Sequence, residues 1–253
     1  MNNKIISDLR EILLRLHRFD FILRVGLERE RNDESKIDLL VGCGVGDVEH
    51  YLSQVQTLLE GRWPDAKLSI SDDAVRFDLG TSSGGIAVCE SAKLVEQIKE
   101  WIGGKNLAGQ HRPWAVGYWL PEALCGDLAT AEVLHDVKGT YPEIKNLVVP
   151  YPERLSQAIA ATCVNEVRQK SDTLGRLSQK DRTIESALCL SDIGAAVVRL
   201  AFARSRRYLR GFRLLAEQAA FLRPSDFTLY ELASKLLQEE EATHILEEIR
   251  RQL

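Results

Sequence analysis

Nothing in the 253-residue sequence approaches the apolar run of roughly 20 residues that a bilayer-crossing helix needs. The opening MNNKIISDLREILLRLHRF does not read as a secretory leader, because Asp8, Arg10 and Glu11 interrupt any apolar h-region. No CxxC pair occurs. The five cysteines, at positions 43, 89, 125, 163 and 189, are scattered and odd in number. That pattern argues against a disulfide framework and a zinc site, and predicts reduced thiols in a cytoplasmic protein. There is no internal repeat and no low-complexity tract. Nor is there a large basic excess: the formal net charge is -4, so general nucleic-acid binding is not expected.

What remains is ordinary material for a folded chain. Hydrophobic residues make up 45% and charged residues 28%, enough for one large domain or two ordinary ones. The charge is uneven. Residues 1–150 hold 17 Lys+Arg against 23 Asp+Glu, whereas residues 151–253 hold 16 against 14.

Periodicity divides the chain in two. Ile5, Leu9, Ile12, Leu13 and Leu16 recur at helical spacing over 3–17. Two short runs rich in Ile, Leu and Val, 21–25 and 37–41, read as buried strands around a polar loop of residues 26–36. A helix follows to about Gly61, then β-like segments at 67–71, 74–79 and 85–89. The turn signal GTSSGG makes the last two an antiparallel hairpin. Residues 91–102 read as a helix closed by Gly103-Gly104. Residues 105–130 read as loop, whose Trp114, Tyr118 and Trp119 either line a substrate cleft, with Glu122 and Asp127 as polar contacts, or pack at a domain junction; 131–136 reads as a short strand. Beyond Pro150 only helical spacing remains, through 153–178, 181–204, 205–222, 228–237 and 240–252, with Thr228 and Glu231 as a capping box. The expected division is 1–146 and 147–253.

Two motifs carry chemical meaning. In the first, a strand ends at Gly26-Leu27, and Ser35-Lys36-Ile37-Asp38 opens the next strand. A later segment, Glu132 to Gly139, reads EVLHDVKG. This order resembles the nucleotidyltransferase superfamily, of the antibiotic and minimal type with a helical C-terminal domain. There a strand ends in Gly-Ser, the next carries Ser-Asp-x-Asp, and a third carboxylate follows on a later strand. The resemblance implies an α+β fold, a mixed-sheet nucleotidyltransferase-like domain followed by an all-helical domain that completes the substrate cleft. It implies transfer of a nucleoside monophosphate from a nucleoside triphosphate to a hydroxyl, with Mg2+ bridging the phosphates. Carried onto this chain, Asp38 is a catalytic residue and metal ligand, with the nearby acids Asp78 and Glu90 recruited as further metal ligands. Glu166 is a general base, and Gly26, Lys36 and Asp136 contact the nucleotide. The partners implied are a nucleotide and a small-molecule acceptor, without a membrane; the apolar helical part is compatible with a homodimer.

The sequence departs from that pattern at three positions. Lys36 stands at the first carboxylate, Leu27 at the serine, and Ala87 at the third acid. The alternative is therefore a pseudoenzyme, a catalytically degenerate binding or regulatory protein on the same fold. The second motif, Ile37 to Asp47 (IDLLVGCGVGD) with Asp72 after a further strand, resembles motif I of S-adenosylmethionine-dependent methyltransferases. The plain reading of Gly42 to Gly46 is a tight strand-to-helix turn. Separately, residues 199–213 carry six arginines and no acid, a polyanion contact or a solvated helix face.

Overall fold

A computed structural model describes residues 2–16, 19–26, 35–44, 48–71, 74–105, 121–178, 183–210, 214–236 and 242–253. Its apolar runs form strands where they are short and branched. They form helices where the apolar positions recur every three or four residues. In chain order these are α1 (Asn2–Leu14), β1 (Phe19–Val25), β2 (Lys36–Cys43), α2 (Val48–Arg62), β3 (Lys67–Ser71), β4 (Ala74–Asp78), β5 (Ser83–Glu90), α3 (Ser91–Ile102), α4 (Pro121–Thr130) and β6 (Glu132–Asp136). Only helices follow: α5 (Thr140–Val148), α6 (Glu153–Ser178), α7 (Thr183–Arg204), α8 (Leu215–Ala219), α9 (Pro224–Leu236) and α10 (Ala242–Gln252). The fold is α+β, a mixed six-stranded sheet followed by a helical region.

The strands lie in the order β3-β4-β5-β2-β1-β6. β2 and β5 run parallel; the other neighbours are antiparallel, including the β4–β5 hairpin. Parity along the strands assigns the faces. Ile22, Ile37, Leu39, Val41, Val75, Phe77, Ile86 and Val88 share one continuous apolar core with Leu9 and Leu13 of α1 and Leu52, Val55 and Leu59 of α2. Fully burying each such side chain stabilises the fold by about 1.5–3 kcal/mol. An Arg62–Asp8 pair at 3.0 Å ties α2 to α1. The alternate residues, Lys36, Asp38, Gly85, Arg76 and Asp78 among them, therefore face the other way. Helices α4 and α5 pack against β1.

The chain separates into two units, 1–100 with 109–150, and 101–108 with 151–253. In the second unit α6 and α7 run antiparallel. Ser156 Oγ at the start of α6 donates to the Ala203 carbonyl at the end of α7 (2.7 Å), and Lys170 meets Asp192 at 2.5 Å between them. By length and composition α7 could cross a membrane, contrary to the expectation that no run approached that length. Most of it is buried inside the unit, as in a core helix.

Three expectations about local structure need correction. Residues 121–130 are helix, not loop: Pro121 through Leu128 are all buried, so no polar face betrays the helical period. Residues 205–222 are not one helix. α7 ends at Arg204, Arg206 is left-handed (φ 53°), and the Arg207 N–H donates to the Phe202 carbonyl (3.0 Å). This is the usual glycine stop made without glycine, so the sequence carries no punctuation there. The arginines of 199–213 consequently share no helix face, and Arg213 lies outside the described residues. Lastly, α9 begins at Pro224, a residue suited to the first helical position. Thr228 sits inside it, its hydroxyl donating to the Pro224 carbonyl (3.2 Å), so it forms no capping box.

Candidate functional site

Asp38 lies on the second face of the sheet, half-buried, between Val25 of β1 and Gly85 of β5. Its Oδ1 accepts the Gly85 N–H at 3.0 Å, a bond possible because the β5 residue beside it has no side chain to intervene. Lys36 is two residues upstream on the same face, roughly 7 Å along the strand. Beyond Val25 the chain turns at Gly26, whose φ of 110° is open to glycine and strained for other residues. The Gly26 N–H donates to Asp127 Oδ2 at 3.1 Å. Asp127 is 1% exposed and Glu122, on the same helix α4, is 2% exposed. One end of the β1–β2 pair thus gathers Gly26, Lys36, Asp38 and the buried Asp127.

Within the first unit, Asp78, Glu90 and Asp136 are not brought to Asp38. Asp78 lies two strands away, in the row of Lys36 and Ser83, so roughly 10 Å separates its strand from β2. It is exposed and accepts the Gly80 N–H (2.8 Å) within its own turn. Glu90 pairs in register with Cys43, at the opposite end of β2, roughly 16 Å along the strand from Asp38. It is ion-paired with Lys93 at 2.7 Å. Asp136 accepts the Thr140 and Tyr141 N–H groups (3.0 and 3.1 Å), so it caps the positive end of α5. Glu166 is half-buried in the middle of α6, in the second unit.

The β5 residues that share the Asp38 face are Ser83, Gly85, Ala87 and Cys89, none of them an acid. Ala87 pairs with Leu40, one step deeper than Asp38, so the position beside Asp38 is Gly85. Among the described residues no group of three or more His, Cys, Asp or Glu could hold a metal ion. The described residues around Asp38 therefore do not by themselves offer the set of carboxylates that a magnesium pair takes.

Gly42 has a packing reason. A Cβ there would lie 2.2 Å from Phe21 Cε1 and 2.6 Å from Ser91 Oγ, so the first glycine of the cluster keeps β2 flush against its neighbours. Gly46, Asp47 and Asp72, the rest of that motif, lie outside the described residues, as do Leu27, Trp114, Tyr118 and Trp119. Sequence reasoning missed Arg76, exposed in the same cross-strand row as Asp38 and Gly85. The alternation Val75-Arg76-Phe77-Asp78 was the signal that both charges leave the core face. The nearby thiols are quiet. Burial, then Glu90 and then Asp20, pushes Cys43 up to about 11, and burial followed by Glu122 raises Cys125 further.

A family described as a domain of unknown function (DUF4037) matches residues 120–212. Among functionally curated proteins none matches the chain. Among solved structures the chain is similar to a nucleotidyltransferase-like protein from Exiguobacterium sibiricum 255-15. The TM-score is 0.46 and the identity 13%, over 99% of this chain and 72% of that one.

Proposed function

We propose that this chain is a catalytically degenerate, nucleotidyltransferase-like protein that binds a nucleotide without carrying the two-metal transfer reaction. One observation carries the reading: on the sheet face around Asp38, β2 and β5 offer a single carboxylate, with a lysine two residues away. Two-metal transfer needs two or three carboxylates converging on one point, because each ion takes several oxygen ligands and bridges the phosphates. A lysine can neutralise phosphate charge as a point cation, but it does not activate an attacking hydroxyl as a metal ion does. Lys36 and Arg76, both exposed or half-exposed on this face, supply positive charge for the phosphates.

A second reading, an active nucleotidyltransferase with divergent ligands, draws support from Asp127, a buried acid at the same end of the β1–β2 pair. A methyltransferase finds no comparable support, since β2, α2 and β3 do not form a parallel unit in which β3 neighbours β2.

Calorimetric titration with ATP separates the first two. The proposal expects binding that survives removal of magnesium and the Asp38→Ala change but weakens about tenfold in Lys36→Ala, the loss of one charge-assisted contact. Binding that requires magnesium and disappears in Asp38→Ala would establish the second reading instead. No binding to ATP under any of these conditions would overturn both for this nucleotide.

A further inference from the structure

At the other end of β1 lies a cleft of about 470 Å³ that the nucleotide reading leaves unused. Its walls are Leu13 and Leu14 at the end of α1, Phe19 and Asp20 at the start of β1, and His135, Val137 and Lys138 where β6 ends. Asp20 sits at an irregularity: the register of β1 on β2 slips between Phe19 and Phe21. Such bulges re-aim a side chain out of the alternating pattern. The Asp20 residue is only 6% exposed, and a carboxylate so buried is costly unless a cation meets it. The cation present is Lys138, 2.7 Å from Oδ1. Its side chain is 67% exposed and comes from a turn that ends at Gly139 in the left-handed region. The acid also raises the Lys138 ammonium above its ordinary range through a hydrogen bond and charge.

The pairing is unequal. The carboxylate is fixed in the sheet, while the ammonium rests on a long, mostly solvated stem whose fixing costs entropy. A cleft with apolar walls and one anchored charge is the usual build of a small-ligand site. We infer that this cleft binds a small organic cation, an amine with a compact apolar body, whose ammonium takes the place of Lys138 on Asp20. The apolar body packs against Leu13, Leu14 and Phe19, and Val137 borders the entrance, 75% exposed. Lys138 is then a tethered competitor that occupies the carboxylate until the ligand displaces it. The site is independent of the Asp38 face and does not rest on the nucleotide reading.

The test uses the full chain and phenethylamine as the probe, with phenylacetate as a control of similar body and opposite charge. The expected result has an unusual sign. Removing the competitor in Lys138→Ala tightens phenethylamine binding about three- to fivefold, the size of a partly exposed ion pair that no longer has to be broken. Asp20→Asn abolishes binding, and phenylacetate does not bind to the wild type. Thermal unfolding establishes that Asp20→Asn is folded. Should it not fold, Leu14→Trp, which fills the cleft from its α1 wall and leaves Asp20 in place, is expected to abolish binding instead. Equal or weaker phenethylamine binding in Lys138→Ala, binding that survives loss of Asp20 or filling of the cleft, or equal binding of phenylacetate would overturn the proposal.

Discussion

The two faces of the sheet divide the labour. On one face Ile37, Leu39, Val41, Ile86 and Val88 meet α1 and α2 in a dry core. On the other, the same strands present Lys36, Asp38, Ser83 and Gly85. At its start β2 thus alternates fully buried residues, Ile37 and Leu39, with half-buried polar ones, Lys36 and Asp38, so these neighbours should answer mutation very differently. If they did not, Asp38 would belong to the core rather than to the polar row of Lys36 and Ser83.

The largest effect is expected on the dry face. Leu39→Ala should cost about 2–5 kcal/mol in denaturant unfolding, because Leu39 is fully buried and the site is held on both sides. Gly84→Ala attacks the join between the faces. A Cβ there would sit 1.7 Å from the Ile37 carbonyl oxygen, so the β2–β5 pairing must shift, at a cost of about 3 kcal/mol. Asp127→Ala removes the buried carboxylate that accepts the Gly26 N–H and should cost about 2 kcal/mol by the same measurement. Asp38→Ala, one residue from Leu39, removes a half-buried acceptor of the Gly85 N–H rather than core volume and should cost less, about 1–2 kcal/mol. A loss at Asp38 as large as that at Leu39 would mean that the acid is a structural element rather than a presented one.

The same contrast explains what the sequence revealed. The alternation of β2 and the turn between β4 and β5 are local signals, so the strands, their hairpin and the presentation of Asp38 were legible. Helix α4 was not, since a segment buried on nearly all sides has no period to read. The end of α7 was not either, because Arg206 occupies a left-handed position that usually announces itself with glycine. For the site, residue type was legible and register was not. Asp78 and Glu90 flank the strand where a third carboxylate is expected, yet strand pairing sends Glu90 to the far end of β2 and Asp78 two strands away. Asp136 reads as a motif acid from its spacing before Gly139, but the structure employs it at the N-terminus of α5. Asp127 gained its position only when α4 folded against β1, a contact across 101 positions of sequence.

The central claim is that the Asp38 face does not assemble a metal pair, and manganese reports on it directly. Electron paramagnetic resonance can count Mn2+ bound by the protein with and without saturating ATP, for the wild type and Asp38→Ala. The account predicts no tight protein-held ion in either variant, and no more manganese with ATP present than the nucleotide itself carries. A second, tightly held Mn2+ that appears with ATP and vanishes in Asp38→Ala would contradict it.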